Sequence, residues 1–199
     1  HYPLRRQRQM CIRDRSRTYG LPRIKVPGGI YPCGAQISLP AWIEVVSEGS
    51  VCFDFSAADV AGFKIHNEFS NSLQDSLKHP ANYSPCLNGL GGTIAIKGFG
   101  IGASTKAAMT IGNTSLGFTP CRDVRIAGVV ASGWNVGQQF EKYDTYLFSC
   151  WNTRLEQNVT QIKTRSGLGS NSGERMSWDN CTFAGGTYAL YHDCLLYTS

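Results

Sequence analysis

The chain has 199 residues, a formal net charge of +5 and 42% hydrophobic residues. It contains no apolar run near the roughly 20 residues that a membrane-spanning helix needs, and charged residues, at 17%, are too sparse for a coiled coil. Glycine contributes 22 residues, which alternate with short runs of Val, Ile, Phe and Thr. This composition predicts an all-β chain that is rich in turns.

The two ends of the chain differ in texture from the middle. Residues 1–16 read HYPLRRQRQMCIRDRS, and residues 194–199 read CLLYTS. Both resemble translated sequencing-adapter read-through, so we expect 1–16 and 192–199 to be non-native segments around a native region over 17–191. A basic arm that binds nucleic acid is the alternative for the first segment. Without both ends the net charge falls to +2, which predicts no nucleic-acid partner.

Short strands separated by turns are predicted along the first native segment. Residues 37–39, 43–46 and 51–55 are apolar runs, bounded by a Pro-Gly-Gly turn and by single glycines. Residues 67–88 are polar and contain two prolines, which predicts a loop that leaves the regular structure. Residues 164–174 predict a second such loop. Loops of this kind on a rigid scaffold commonly carry binding residues.

An internal repeat is the most informative feature of the second half. The spacing apolar-x-apolar-x-x-apolar-x-apolar begins at Ile94, Val124, Tyr146 and Met176. A period of 20 to 30 residues with short strands is typical of a β-solenoid, and no segment has the 3.6-residue periodicity of helical repeats. We therefore predict a parallel β-helix of about five coils, whose inward side chains stack about 4.8 Å apart. One predicted column contains Phe99, Val129, Trp151 and Cys181.

Five segments carry a resemblance to a known family. VPGGIYPCGAQISLPAWIEVVSEGS resembles the first coil of pectate-lyase-like right-handed β-helices. LNGLGGTIAIKGFGIG, DVRIAGVVASGWNVG, YDTYLFSCWNTRLEQN and SNSGERMSWDNCTFAGG resemble later coils of bacteriophage tailspikes and capsular-polysaccharide depolymerases. The resemblance implies a right-handed, single-stranded parallel β-helix that binds and cleaves a bacterial surface polysaccharide. It further implies a homotrimer in a virion tail, or a secreted enzyme. A non-catalytic β-helix adhesin is the alternative.

Cleavage of a polysaccharide would depend on carboxylates. Hydrolysis needs two of them across the scissile bond, whereas a lyase needs one base and a cation that stabilises the enolate. We expect Asp144 and Glu174 to form the acid and base pair, because each precedes a repeat strand by four residues, with Glu141 as a third candidate. The competing interpretation assigns these carboxylates to solvated turns.

Aromatic and basic side chains complete the predicted site. Trp134 and Tyr143 are candidate platforms for a sugar ring, which stacks on aromatic faces. Arg175 directly follows Glu174 and is a candidate substrate ligand. His66 and His79 have no carboxylate or cysteine at metal-ligand spacing, so we expect both to be exposed loop histidines.

Cysteine spacing and motif searches predict no cofactor. Six cysteines lie outside the two ends, and none forms a C-x-x-C pair, so neither a zinc ribbon nor a thioredoxin-type site is predicted. Each lies in or beside an apolar run, which favours free thiols over disulfides. The sequence has no P-loop, G-x-S-x-G or H-E-x-x-H motif. We expect neither a cofactor nor a metal ion.

Overall fold

The computed structural model describes residues 23–41, 43–68, 86–115, 121–122, 124–141, 145–164 and 175–192. Within these ranges the protein is all-β, as predicted, with parallel strands and no helix. No described segment is therefore a helix that could cross a membrane. In chain order the strands are β1 (Arg23–Pro32), β2 (Ile37–Pro40), β3 (Glu44–Asp54), β4 (Phe63–His66), β5 (Leu87–Asn88), β6 (Ile94–Lys97), β7 (Ala107–Ile111), β8 (Cys121–Arg122), β9 (Arg125–Ala127), β10 (Val129–Ser132), β11 (Val136–Phe140), β12 (Thr145–Tyr146), β13 (Ser149–Trp151), β14 (Arg154–Glu156), β15 (Thr160–Thr164), β16 (Ser177–Asp179), β17 (Thr182–Ala184) and β18 (Tyr188–His192).

The strands form two curled parallel sheets and one short pair. The first sheet follows the path β16-β13-β9-β5-β3-β6-β10-β14-β17, and β1 pairs beside β3. The second sheet has the order β18-β15-β11-β7-β4-β2, and β8 pairs with β12. The chain therefore visits the first sheet and then the second, and each such pass lays its strands beside those of the previous pass. This arrangement fits a parallel β-helix.

The described strands make six passes: β1–β2, β3–β4, β5–β7, β8–β11, β12–β15 and β16–β18. The fourth and fifth passes are in register along their whole length. Paired residues are 24 positions apart in both sheets, as in Arg125 with Ser149 and Val136 with Thr160. The sixth pass follows at 28 positions, as in Thr160 with Tyr188. The last strand, β18, includes His192, which the sequence assigned to the non-native end.

The predicted alignment of the first repeat copy is wrong. The repeat placed Ile94 beside Val124, but the structure pairs Ile94 with Val129. Phe99 and Ile101, predicted to point inward, lie after β6 and are 43% and 51% exposed. The physical reason is that the third pass has extra residues between β5 and β6 and again between β6 and β7. Longer bends change the spacing between strands without changing the strands themselves.

The predicted column is also wrong at Trp151. Trp151 follows the inward, fully buried Cys150 and pairs with Ala127 and Asp179, so it is a half-buried residue of the outward face. Thr153 is buried instead, and its hydroxyl accepts a hydrogen bond from the Val129 amide at 3.5 Å. The expectation that Ile96 and Ile126 both point inward is confirmed, because neither is exposed to solvent.

Aromatic rings pack in the interior along the stack of passes. Phe53 meets Phe63 edge-on at 5.1 Å between ring centroids, Phe55 meets Trp134 at 5.6 Å, and Phe140 meets Phe148 at 4.9 Å. In the later passes buried amides also contribute. Asn158 Nδ2 donates to Gln161 Oε1 at 2.8 Å, and Asn158 Oδ1 accepts from the Trp134 amide at 3.0 Å. These hydrogen bonds compensate for burying the amide groups.

One corner of the first sheet is built from two glycines and two asparagines, three of which have the left-handed backbone conformation. Between β9 and β10 stands Gly128, with φ of 63°; the equivalent residues in the next two passes are Asn152 and Asn180, with φ of 49° and 50°. Asn180 Nδ2 donates to Asn152 Oδ1 at 2.6 Å. In the third pass Gly89 faces Gly128 so closely that a Cβ on Gly89 would lie 2.0 Å from the Gly128 carbonyl oxygen. We call these four residues the glycine–asparagine corner.

Candidate functional site

A row of polar side chains runs along the outward face of the first sheet. Successive residues of a strand point to opposite faces, so the inward Ile126 and Cys150 leave Arg125 and Ser149 pointing outward. Ser149 pairs with Arg125 on one side and with Ser177 on the other. Three consecutive passes thus place an arginine and two serines side by side, on strands about 4.8 Å apart.

An open pocket of about 330 Å³ lies on this row. Its lining residues are Arg125, Leu147, Ser149, Arg175, Met176 and Ser177. Leu147 and Arg175 are two residues before the paired Ser149 and Ser177, and both have positive φ, of 55° and 50°. A positive φ is costly for a leucine or an arginine. The same left-handed backbone conformation therefore stands just before β13 and just before β16. It sets the direction in which the side chains of Leu147 and Arg175 leave the backbone at the pocket.

The lining of the pocket suits an anionic group. Two guanidinium groups supply fixed positive charge and several N–H donors, and two serine hydroxyls can donate as well. Arginine binds carboxylate, sulfate or phosphate oxygens through paired hydrogen bonds. The described residues that line the pocket include no carboxylate. The arrangement can therefore bind an anion, but these residues alone supply no acid and base pair.

The structure places the predicted site residues in different parts of the fold. Arg175 lines the pocket, and its role as a substrate ligand stays a prediction. Asp144, Glu174 and Tyr143 lie outside the described residues. Glu141 follows β11 in the second sheet, is 3% exposed and accepts a hydrogen bond from Gln139 Nε2 at 2.9 Å. Glu141 is therefore a buried, hydrogen-bonded carboxylate and not a lining residue of this pocket.

The assignment of Trp134 as a sugar platform is wrong. Trp134 has no exposed surface, and its Nε1 donates to the carbonyl oxygen of Ile96 at 3.1 Å. Gly98 leaves the space that the indole ring fills, since a Cβ there would lie 2.6 Å from Trp134 Cδ2. The ring thus packs in the interior, where a sugar could not reach it. The sequence could not show this, because the glycine that accommodates the ring is in the preceding pass.

A second polar cluster was missed by sequence reasoning, which placed His66 in an exposed loop. His66 is the last residue of β4 and is buried. Its Nε2 lies 2.6 Å from Ser38 Oγ, and its Nδ1 accepts the backbone N–H of Glu68 at 3.0 Å. Glu68 also accepts hydrogen bonds from Lys64 and from the hydroxyl of Thr114, both at 2.6 Å. His79 lies outside the described residues.

The set Ser38, His66 and Glu68 resembles a hydrolase triad, but the histidine proton is on the wrong ring nitrogen. In a triad the nitrogen that faces the serine is unprotonated and accepts the hydroxyl proton. Because Nδ1 of His66 accepts an N–H, the ring proton of the neutral form is on Nε2, where it donates to Ser38. Burial and the nearby Lys64 ammonium lower the pKa of His66 and keep the ring neutral. A serine hydroxyl that accepts a hydrogen bond from histidine is not activated as a nucleophile, because the histidine cannot take its proton. The cluster instead links three passes by hydrogen bonds, because Ser38 belongs to the first pass, His66 and Glu68 to the second and Thr114 to the third.

Within the described ranges, no group of three or more His, Cys, Asp or Glu side chains is placed to hold a metal ion. No protein-family model matches the chain, and no solved structure matches it. The assignment of function therefore depends on the geometry of the pocket and of the sheet that carries it.

Proposed function

We propose that the chain belongs to a right-handed, single-stranded parallel β-helix that binds an acidic bacterial surface polysaccharide, as the tailspike-like segments of its sequence imply. The observation that carries the proposal is the pocket on the first sheet, where Arg125 and Arg175 flank the hydroxyls of Ser149 and Ser177. An acidic sugar offers a carboxylate to the arginines and hydroxyls to the serines.

A polymer suits this surface better than a small molecule does. The pocket is open to solvent, and the row of Arg125, Ser149 and Ser177 runs across neighbouring passes. A long glycan laid along that direction contacts one pass after another, and each contact raises the effective concentration for the next. A homotrimer of this protein would multiply this gain and protect the exposed strand edges. We place the protein in a virion tail or outside a bacterial cell.

Cleavage of the bound glycan is the further step of this proposal. Asp144 and Glu174 remain its predicted acid and base, with separations of about 5 to 10 Å required for hydrolysis. If the protein is a lyase, one of these carboxylates is the base, and Arg125 or Arg175 supplies the cation that stabilises the enolate.

A non-catalytic adhesin is the second candidate function. Two observations favour it: the described lining of the pocket contains no carboxylate, and Glu141 is buried away from solvent. Binding and cleavage are therefore tested separately.

The binding test uses the full 199-residue chain and purified acidic capsular polysaccharides, with carboxyl-reduced samples of the same polymers as matched ligands. Arg125→Ala and Arg175→Ala should each weaken binding about tenfold or more, since a hydrogen bond to a charged group contributes about 1.5–3 kcal/mol. Arg154→Ala is the control, because Arg154 is an exposed arginine that pairs with Glu156 at 2.6 Å outside the pocket. Equal affinity for native and carboxyl-reduced polymers would exclude the acidic sugar.

The cleavage test uses Asp144→Asn and Glu174→Gln, with release of reducing ends as the readout. Loss of a general acid or base should lower the rate about a hundredfold or more. Ultraviolet absorbance of an unsaturated product distinguishes a lyase from a hydrolase. If the glycan binds and neither variant changes the rate by more than about twofold, this pair is not catalytic. If the unmodified chain binds the glycan but releases no reducing ends, the adhesin is the better description.

A further inference from the structure

Two cysteines of consecutive passes meet at the interior end of the glycine–asparagine corner. Cys150 is the middle residue of β13 and is fully buried, whereas Cys181 directly precedes β17 and is partly exposed. Their Sγ atoms are 3.9 Å apart. Both are free thiols, as are the other four cysteines of the described ranges.

A small displacement of the two sulfur atoms would allow a disulfide bond between Cys150 and Cys181. A disulfide requires a sulfur separation of about 2.05 Å, so the two atoms must approach by about 2 Å. Cys181 lies in a bend, between Asn180 and β17, and its Sγ already lies 3.5 Å from the carbonyl oxygen of Cys150.

The two thiols also differ in the way that exchange chemistry requires. The side-chain hydrogen bond between the two thiols lowers the pKa of Cys181 to about 7, although partial burial opposes this. The same interaction, together with burial, raises the pKa of Cys150. Cys181 is therefore the thiol that is both accessible and readily ionised, and thiolates are the attacking species in disulfide exchange.

We propose that Cys150 and Cys181 form a modification site that reacts with low-molecular-weight disulfides such as glutathione disulfide. The Cys181 thiolate attacks one sulfur of glutathione disulfide, forms a mixed disulfide and releases one glutathione thiolate. Cys150 then loses its proton, attacks Cys181 Sγ and releases the second glutathione. The protein gains one disulfide and gives up two electrons, which reduce one glutathione disulfide to two thiols.

The other described cysteines provide internal comparisons. Cys86 is fully buried, donates to the carbonyl oxygen of Ala41 at 2.9 Å, and has its pKa raised to about 12 by burial. Burial also raises the pKa of Cys33 and of Cys52. We therefore expect only the Cys150–Cys181 pair to close rapidly in the folded protein.

The test uses the 199-residue chain with Cys194→Ser in every sample, because Cys194 shares a tryptic peptide with Cys181. The folded protein is exposed to glutathione disulfide, its remaining thiols are blocked with N-ethylmaleimide, and the digest is mapped by mass spectrometry without reductant. We expect a cross-link between peptides 143–154 and 176–199, with the loss of two free thiols that dithiothreitol restores. Cys33→Ser should keep the cross-link. Cys150→Ser should leave Cys181 joined to glutathione.

Three results would overturn the proposal. Cys181 could retain glutathione while Cys150 is intact, or both thiols could stay unreacted while other cysteines react. The same cross-link could also form as fast in urea as in the folded protein, which would show that the fold does not favour it. If Cys150→Ser fails to fold, the peptide map of the chain with both cysteines decides the question without it. Glycan binding plays no part in any of these readouts.

Discussion

The glycine–asparagine corner makes the same bend with glycine in two passes and with asparagine in the next two. In the third and fourth passes Gly89 and Gly128 meet backbone to backbone, whereas in the fifth and sixth passes Asn152 and Asn180 meet through a side-chain hydrogen bond. Gly128 and both asparagines share a positive φ near 50° to 60°. The bend therefore uses the left-handed conformation in the fourth to sixth passes, whereas Gly89 in the third pass does not have a positive φ, and the space between passes decides whether a Cβ fits.

Asparagine is suited to the open version of the corner for two reasons. It tolerates the left-handed region better than other residues with a Cβ. Its amide also supplies a donor and an acceptor, so that identical residues in consecutive passes can bond to one another. Where the backbones approach as closely as at Gly89, no Cβ fits, and glycine is the only residue available.

The largest expected effect is that of Gly89→Ala. The new Cβ would lie 2.0 Å from the Gly128 carbonyl oxygen and 3.0 Å from the Ile94 amide nitrogen, both rigid backbone atoms. We expect a loss of about 3 kcal/mol or more in the free energy of unfolding, measured by urea titration. Gly34→Ala is the matched control, because nothing lies within 4 Å of its Cβ position, and it should change stability by less than about 0.5 kcal/mol.

Substitutions at Gly128 separate sterics from backbone strain. Gly128→Ala introduces a Cβ 2.7 Å from the Gly89 carbonyl carbon at a φ of 63°, and we expect it to cost about 2–3 kcal/mol. Gly128→Asn introduces the same Cβ on a residue that tolerates this φ. If close approach excludes asparagine here, Gly128→Asn will remain destabilising and will recover only about 1 kcal/mol relative to Gly128→Ala. Wild-type stability in Gly128→Asn would show that the two halves of the corner are interchangeable.

The contact of Glu68 with Thr114, which joins the second and third passes, should make the free energy of unfolding depend on pH. The glycine–asparagine corner contains no titratable group and should not. Burial opposes ionisation of Glu68, but hydrogen bonds from Lys64 and Thr114 dominate and hold its pKa at about 2, below its usual 4.5. A carboxyl group with a lowered folded-state pKa stabilises the protein above its unfolded-state pKa. This contribution should be lost as the pH falls from about 5 to about 2. Glu68→Gln should flatten stability over that window, and Asn152→Ala should not.

The smallest effects are expected at the asparagines. Asn152→Ala removes the hydrogen bond to Asn180 and leaves alanine at a φ of 49°, which should cost about 1.5 kcal/mol. Asn152→Gly loses the same hydrogen bond but relieves the backbone strain, so about 0.5–1 kcal/mol is expected. Thermal unfolding of both variants checks the order. If Asn152→Gly were the less stable variant, relief of backbone strain would not outweigh the greater unfolded-state entropy of glycine at this corner.

The strands and the inward positions could be predicted because they depend on local alternation. Ile94, Ile96 and Ile126 were assigned inward from their spacing, and all three are fully buried. The pairing of passes could not be predicted in the same way. Ile94 was placed beside Val124 instead of Val129 because register depends on the lengths of the bends, which local pattern does not restrict.

The residues that line the candidate pocket could be named from the sequence only in part, for a similar reason. Arg175 was named because it follows Glu174 at the entry to a repeat strand, whereas Arg125 was not named because its neighbours in space come from the next two passes. Trp134 was misassigned because its surroundings depend on Gly98, which is distant in sequence. The corner asparagines did carry a local signal, since each stands between two short strands. That signal is a single residue, and only the pairing of Asn152 with Asn180 makes it meaningful.

The common register of the fourth and fifth passes has a genetic consequence. Paired residues of these two passes are 24 positions apart in both sheets, so a segment of 24 residues forms one complete module at this point of the stack. A tandem duplication or deletion of 24 codons changes the number of modules. Every residue after the change still points to the same side of its sheet, inward or outward, as before. Loss or gain of one codon within a strand instead turns the rest of that strand inside out. Length variation among descendants of this gene should therefore occur in whole modules or within the bends.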